Sequence, residues 1–302
     1  MAWLSALLYY AVFIPISRLP YRVLYIVSDG IYFLMYHVIG YRKKVALTNI
    51  RLSFPEKTTA EHQQIASDFY RHFCDVIVES FKTFTISEKE ALQRMTFVNP
   101  EILRPYADAK KSIILAGGHY NNWELFAVAI DSLMEHQAIA IYKKLKNDYL
   151  DDKMRSTRGR FGLKMISTKV VKTEFKIEQN NLTATIFACD QSPSSVRHAY
   201  WTTFLHQETA MIYGPEHYAK EYNFPIFYGR IRKVKRGHYE FSFDLVSDTP
   251  CQTEYGEITE KITRHLEKDI RQAPAYWLWT HKRWKRTRPA DIPLHPPSFN
   301  SF

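Results

Sequence analysis

The sequence predicts an α/β fold, a mixed central sheet flanked by helices, and three observations carry that expectation. Short apolar runs suited to strands recur along the chain. Apolar residues four apart mark helices between them, and at residues 112–130 a strand, a glycine turn and a helix follow in immediate succession.

Taken in order, the first long helix is expected from Thr59 to Phe84, where Ile65, Phe69, Phe73, Ile77 and Phe81 recur every four residues and Thr59 and Glu61 lie near the start. Ser112 to Ala116 reads as a buried strand ended by Gly117-Gly118, and Trp123, Phe126, Ala127 and Ile130 follow at helical spacing. Further strands are expected at Ala138 to Tyr142, Lys164 to Ser167 and Thr183 to Ala188. Another pair, Ile226 to Val234 and Tyr239 to Val246, is joined through Arg236-Gly237. Helices are expected at Met211 to Tyr222 and at Glu257 to Arg271, where Ile258, Ile262, Leu266 and Ile270 form a stripe before Pro274.

The N-terminus is different in kind. Ala2 to Ser17 carry no charge, and after Arg18 and Arg22 a second apolar stretch, Val23 to Gly40, is broken only by Asp29 and His37 before Tyr41-Arg42-Lys43-Lys44. Crossing a bilayer takes roughly 20 apolar residues, so residues 1–44 read as a membrane anchor, either one span or a hairpin lying in one leaflet. Two buried helices of a soluble protein are the plain alternative. No basic residue precedes the first run, which argues against a cleaved signal peptide, and the cations that follow it place the rest in the cytoplasm. One domain is expected over 45–288, with a loosely structured proline-rich tail at 289–302.

Composition narrows the partners. Lys and Arg number 41 against 31 Asp and Glu, a formal charge of +10 that suits anionic lipid, an acidic protein or nucleic acid. No helix-turn-helix, RNA-recognition or zinc-finger pattern is present, so no nucleic-acid partner is expected. Cys74, Cys189 and Cys251 lie far apart and read as buried thiols. Cys189, His198 and His206 match no ligand spacing, and no metal is expected.

The candidate chemistry lies in GGHYNNWELF, residues 117–126. On one continuous helix His119 and Glu124 would point about 140° apart. If His119 instead sits in the turn and Asn121 or Asn122 caps the helix, both side chains reach one mouth. Glu124 would then hold one imidazole nitrogen and leave the other as a general base. Gly117-Gly118 would let a substrate approach the backbone. A His and an acid at this spacing are by themselves more often capping or packing residues.

This segment resembles the His-x4-acid block of glycerolipid-type acyltransferases, in the Asn-Trp-Glu form of the lipid A biosynthesis (late) acyltransferase family. TNIRLSFPE at 48–56, IYKKLKND at 141–148 with RGRFG at 158–162, CDQSP at 189–193 and PAYWLWTHKRWK at 274–285 resemble its other blocks in order. The resemblance runs from about Tyr41 to Lys285. It implies a glycerolipid acyltransferase-like fold and transfer of a fatty acyl chain from acyl carrier protein, or from acyl-CoA, to a hydroxyl of a lipid A precursor. It places that reaction at the cytoplasmic face of the inner membrane, without a cofactor. His119 would be the base and Glu124 its partner, with Arg158, Asp190, Asn122 and Arg160 binding substrate or stabilising the oxyanion. Asp190 would orient Arg158 or the acceptor, and Trp277, Trp279 and Trp284 with their basic neighbours would suit lipid headgroups or a tail-binding wall. The plain readings are a capping Asp190, a solvated face at Arg155, Arg158 and Arg160, and core tryptophans.

The chain departs from the family at Tyr142-Lys143-Lys144, where an Arg-Pro pair is usual, at Ala275, and at Phe204-Leu205-His206. Acceptor and chain length therefore do not follow, and a lysophospholipid or an amino-acid-containing lipid is an alternative acceptor. A hydrolase would need a Gly-x-Ser-x-Gly elbow, which is absent. A non-catalytic lipid-binding protein would not be expected to keep the His-Glu pair.

Overall fold

In the computed structural model, residues 2–178 and 181–296 are described. The chain opens with α1 (Ala2–Leu8), a π-type turn at Tyr9–Phe13 and α2 (Ile14–Arg18). After Pro20 come α3 (Tyr21–Tyr32), prolonged by a π-type stretch to Ile39, and α4 (Lys43–Ser53). The segment Tyr21–Ile39 is long and apolar enough to cross a membrane.

α5 (Thr59–Lys82) starts at a capping box, in which Glu61 N donates to Thr58 Oγ1 and Thr58 N donates to Glu61 Oε2 at 2.8 Å. Its apolar stripe is only part of its buried surface, because His72, Asp75 and Glu79 are buried too. α3 lies along that side and brings hydroxyls to it: Ser28 Oγ donates to Asp75 at 2.7 Å and Tyr25 Oη to Glu79 at 2.9 Å. The spacing of apolar residues could not show this polar seam.

Beyond α6 (Glu88–Arg94), the sheet is assembled from β1 (Met95–Phe97), β2 (Ile113–Gly117), β3 (Gln137–Tyr142), β4 (Lys164–Ser167) and β5 (Thr183–Ala188). Between them lie α7 (Arg104–Asp108), α8 (Trp123–Ala129), α9 (Asp148–Arg158) and α10 (Val171–Glu178). The hairpin β6 (Ala199–Phe204) and β7 (Gln207–Ile212) stands apart. α11 (Gly214–Tyr222), β8 (Ile226–Lys235), β9 (His238–Ser247) and α12 (Glu257–Gln272) complete the order.

The seven strands run β1-β9-β8-β2-β5-β3-β4, with β8, β2, β5, β3 and β4 parallel and β9 antiparallel to β8. This is the mixed sheet flanked by helices that the sequence predicts. Along β2, Ile114 and Ala116 join the core beneath α12 and α5, while Ile113 and Leu115 join the core beneath α6 and α8. A strand buried on both faces reads as a continuous apolar run, as Ile113 to Ala116 does. Gly237 closes the β8–β9 hairpin at φ 73°, and a Cβ there would lie 1.9 Å from Tyr25 Oη.

Some expectations need correction. Met211 and Ile212 belong to β7, so the helix expected from Met211 begins at Gly214. The β6–β7 hairpin escaped notice because its turn, Leu205-His206, has positive φ at both residues without the usual Asn or Gly. Cys74 and Cys189 are buried, but Cys251 is exposed. At the start of the tail His295 N donates to Trp201 O, and Ile292 and Leu294 pack on the hairpin. Residues 297–302 lie outside the described residues.

Candidate active site

β2 and β5 are parallel neighbours with Gly117 opposite Ala188. Two residues further along each strand stand His119 and Asp190, so the sheet register itself sets them side by side. His119 Nδ1 lies 2.7 Å from Asp190 Oδ1, and His119 N donates to Asp190 Oδ2 at 2.9 Å. Trp277 Nε1 donates to the same Oδ2 at 2.9 Å. The carboxylate is buried, whereas the His119 side chain is 22% exposed.

This arrangement replaces the expected one. Glu124 does not hold the imidazole; it holds Arg158, with Nη2 at 2.6 and 2.8 Å from its two oxygens and Nε at 3.0 Å. Asp190 in turn holds His119 rather than Arg158. The reason lies in chain direction. Asn122 caps α8 by accepting from Leu125 N at 2.8 Å, which puts Glu124 in the first turn facing α9, where Arg158 lies.

Two further expectations change. Asn122 is fully buried, and its amide donates to Glu79 Oε2 at 2.6 Å, so it builds the loop rather than meeting substrate. Arg160 donates to the carbonyls of Thr83, Phe84 and Ile86. Carbonyls just past a helix end lack helical donors, and a cation there is favourable. The two glycines are explained by packing. A Cβ on Gly117 would lie 3.0 Å from Gly229 O, and one on Gly118 would lie 2.9 Å from Leu266 Cδ1 and 3.3 Å from Asp190 Cγ.

Electrostatics follow from the pair. Burial opposes charge on His119, but the Asp190 carboxylate outweighs it and raises the imidazole above its ordinary value. Burial likewise opposes charge on Asp190, yet the imidazole and the Trp277 and His119 N–H donors hold it down to about 2. With Nδ1–H given to Asp190, Nε2 keeps the lone pair, and Gln191 Nε2 lies 3.3 Å from it. His281, whose Nε2 accepts from Ser192 N, is pushed down to about 4, chiefly by burial.

Sequence reasoning missed Trp277 as a partner of Asp190, and Gln191, Glu79 and His281 as neighbours of the site. Trp277 and Trp279 are buried, with Trp279 Nε1 donating to Pro274 O, and Trp284 Nε1 donates to Thr209 Oγ1. They are core residues rather than a headgroup surface.

The sequence model of the bacterial lipid A biosynthesis acyltransferases matches residues 1–286, nearly the whole chain. The chain belongs to this family. Among similar proteins, a lipid A biosynthesis acyltransferase of Haemophilus influenzae is 23% identical over 285 residues, covering 93% of this chain and 90% of that protein. A lipid A biosynthesis lauroyltransferase of Escherichia coli is 22% identical over 281 residues, covering 92% and 90%. This lipid A biosynthesis acyltransferase family member is thus an acyltransferase, and its His119, Asp190, Glu124 and Arg158 converge at one edge of the sheet.

Proposed function

We propose that this acyltransferase moves a fatty acyl chain from an acyl thioester, carried by acyl carrier protein, to a hydroxyl of a lipid A precursor at the cytoplasmic face of the inner membrane. The observation that carries this reading is the His119–Asp190 pair, in which a 2.7 Å hydrogen bond holds Nδ1 and leaves Nε2 as the basic nitrogen. Nε2 takes the proton of the acceptor hydroxyl as its oxygen bonds to the thioester carbonyl carbon. The carbon–sulfur bond then breaks, and the imidazolium returns its proton to the departing thiolate.

Arg158 supplies positive charge beside this path. Glu124 fixes it through Nε and Nη2, and among the described residues its Nη1 has no hydrogen-bond partner, which leaves that group for the thioester oxyanion or a substrate phosphate. The net charge of +10 supports use of an acidic carrier protein.

Incubating the purified full chain with acyl carrier protein thioester and a lipid A precursor tests the reading. The acylated lipid should form directly, and added salt should slow the carrier-borne donor more than a free thioester. A stable acyl-enzyme, or transfer to no lipid hydroxyl, would refute it.

A further inference from the structure

The loop after β3 carries Lys143, Lys144 and Lys146, and Lys169 follows β4. All four are exposed around a hollow of about 380 Å³. Among the described residues the one carboxylate lining it is Asp148, which pairs with Lys144 at 2.9 Å. Because β2, β5, β3 and β4 are parallel, this hollow opens on the same edge of the sheet as His119 and Asp190.

The first apolar helix touches this loop. Asn147 Nδ2 donates to Ser5 Oγ at 2.8 Å, and the Tyr9 ring packs edge-on against Tyr149 and Phe84. Further along, Phe13 stacks on Phe84, and Thr85 Oγ1 donates to Ser17 O. Contacts at Ser5, Tyr9, Phe13 and Ser17, each four apart, lay the helix along the body by one seam. The rest of its surface is apolar and bare: Trp3 is 73% exposed, with Leu4, Leu7, Tyr10 and Val12 also outward.

α3 is fastened as well, by Ser28 to Asp75, Tyr25 to Glu79, and Asp29 to Arg236 at 2.7 Å. Its outer face shows Ile26, Phe33, Leu34, Val38 and Ile39. A helix sewn to the body along its length, with charged residues beside it, is ill suited to leave that body and cross a bilayer. It is suited to lie in the interface.

We propose that the lysine hollow and the bare face of the first helix form one docking surface for an anionic bilayer, which holds the chain in the membrane plane with the His119 edge at the headgroup layer. This rests on the lipid-acylating reading above and deepens it. Bare apolar residues next to exposed lysines, contiguous through the Asn147–Ser5 bond, match a bilayer whose acyl region and anionic headgroups lie at adjacent depths. An acidic soluble protein would use the lysines but give no partner to Trp3, Leu4 and Leu7.

The test is flotation of the full chain with phosphatidylcholine vesicles, with and without phosphatidylglycerol. Each lysine at an anionic surface strengthens binding about fivefold. Replacing two of them (Lys146→Gln, Lys169→Gln) should weaken binding to the anionic vesicles more than tenfold. It should leave binding to neutral vesicles and turnover of detergent-dispersed acceptor with a free thioester unchanged. Unchanged affinity for anionic vesicles would overturn the proposal, as would a selective loss of carrier-protein use, which would assign the lysines to an acidic protein. If the wild-type chain bound vesicles through these lysines yet acylated no lipid, docking would stand and the functional reading would fall.

Discussion

Asp190→Asn is expected to lower kcat by on the order of 10²–10⁴-fold with little change in KM, because a neutral amide with one acceptor oxygen cannot serve both Nδ1–H and the His119 and Trp277 N–H donors, and it no longer stabilises the imidazolium. The pH dependence carries the sharper signature. The base acts only when neutral, so the rate rises as pH passes upward through the His119 pKa, which Asp190 holds above its ordinary value. Removing the carboxylate's charge lowers that pKa, so the acidic limb of the pH–rate profile moves to lower pH in the variant while its plateau falls. An acidic limb that stays in place would show that Asp190 does not act through His119. Glu124→Gln gives the contrasting pattern: Arg158 loses its paired charge, and the chief loss should appear without a comparable displacement of that limb.

The second large effect is expected at Glu79, far from GGHYNNWELF in sequence. Its buried carboxylate accepts from Tyr25 Oη at 2.9 Å, Tyr239 Oη at 2.8 Å and Asn122 Nδ2 at 2.6 Å. It thereby ties α3, β9 and the cap of α8 to one point on α5. Burial pushes this carboxyl above the ordinary carboxylate range, against the pull of the donors. Glu79→Ala leaves three donors, two of them buried, without an acceptor and should cost roughly 3–5 kcal/mol of stability. Glu79→Gln, which keeps one acceptor oxygen, should cost about half as much. Thermal or denaturant unfolding reads both, and a Glu79→Ala chain as stable as the wild type would show that the junction is not structurally important. The residual folded variant should also turn over more slowly, since Asn122 sets the start of the helix bearing Glu124.

The layered fold was legible because its strands and helices carry strong local periodicity: β2, β4 and β5 fall where apolar runs place them, and α12 follows its stripe of isoleucine and leucine. The members of the site were legible too, but their pairing was not. His119 meets Asp190 only because β2 and β5 are neighbours in register, and neighbours in a sheet are set by long-range packing rather than local spacing. Proximity in sequence suggested Glu124 instead. The polar seam of α5 stayed hidden for a similar reason, since Asp75 and Glu79 look like solvated residues until α3 covers them. Arg160 and Asn122 illustrate the opposite error, in which residues beside a functional block serve helix ends and caps.

The most direct test compares lipids from cells lacking the gene with cells carrying it as wild type or as His119→Ala, using mass spectrometry. The expected result is a lipid A species short of one acyl chain without the gene, restored by the wild type and not by His119→Ala produced at an equal level. Unaltered lipid A in the deletion, or full restoration by His119→Ala, would contradict the assignment of His119 as the base of a lipid-acylating site.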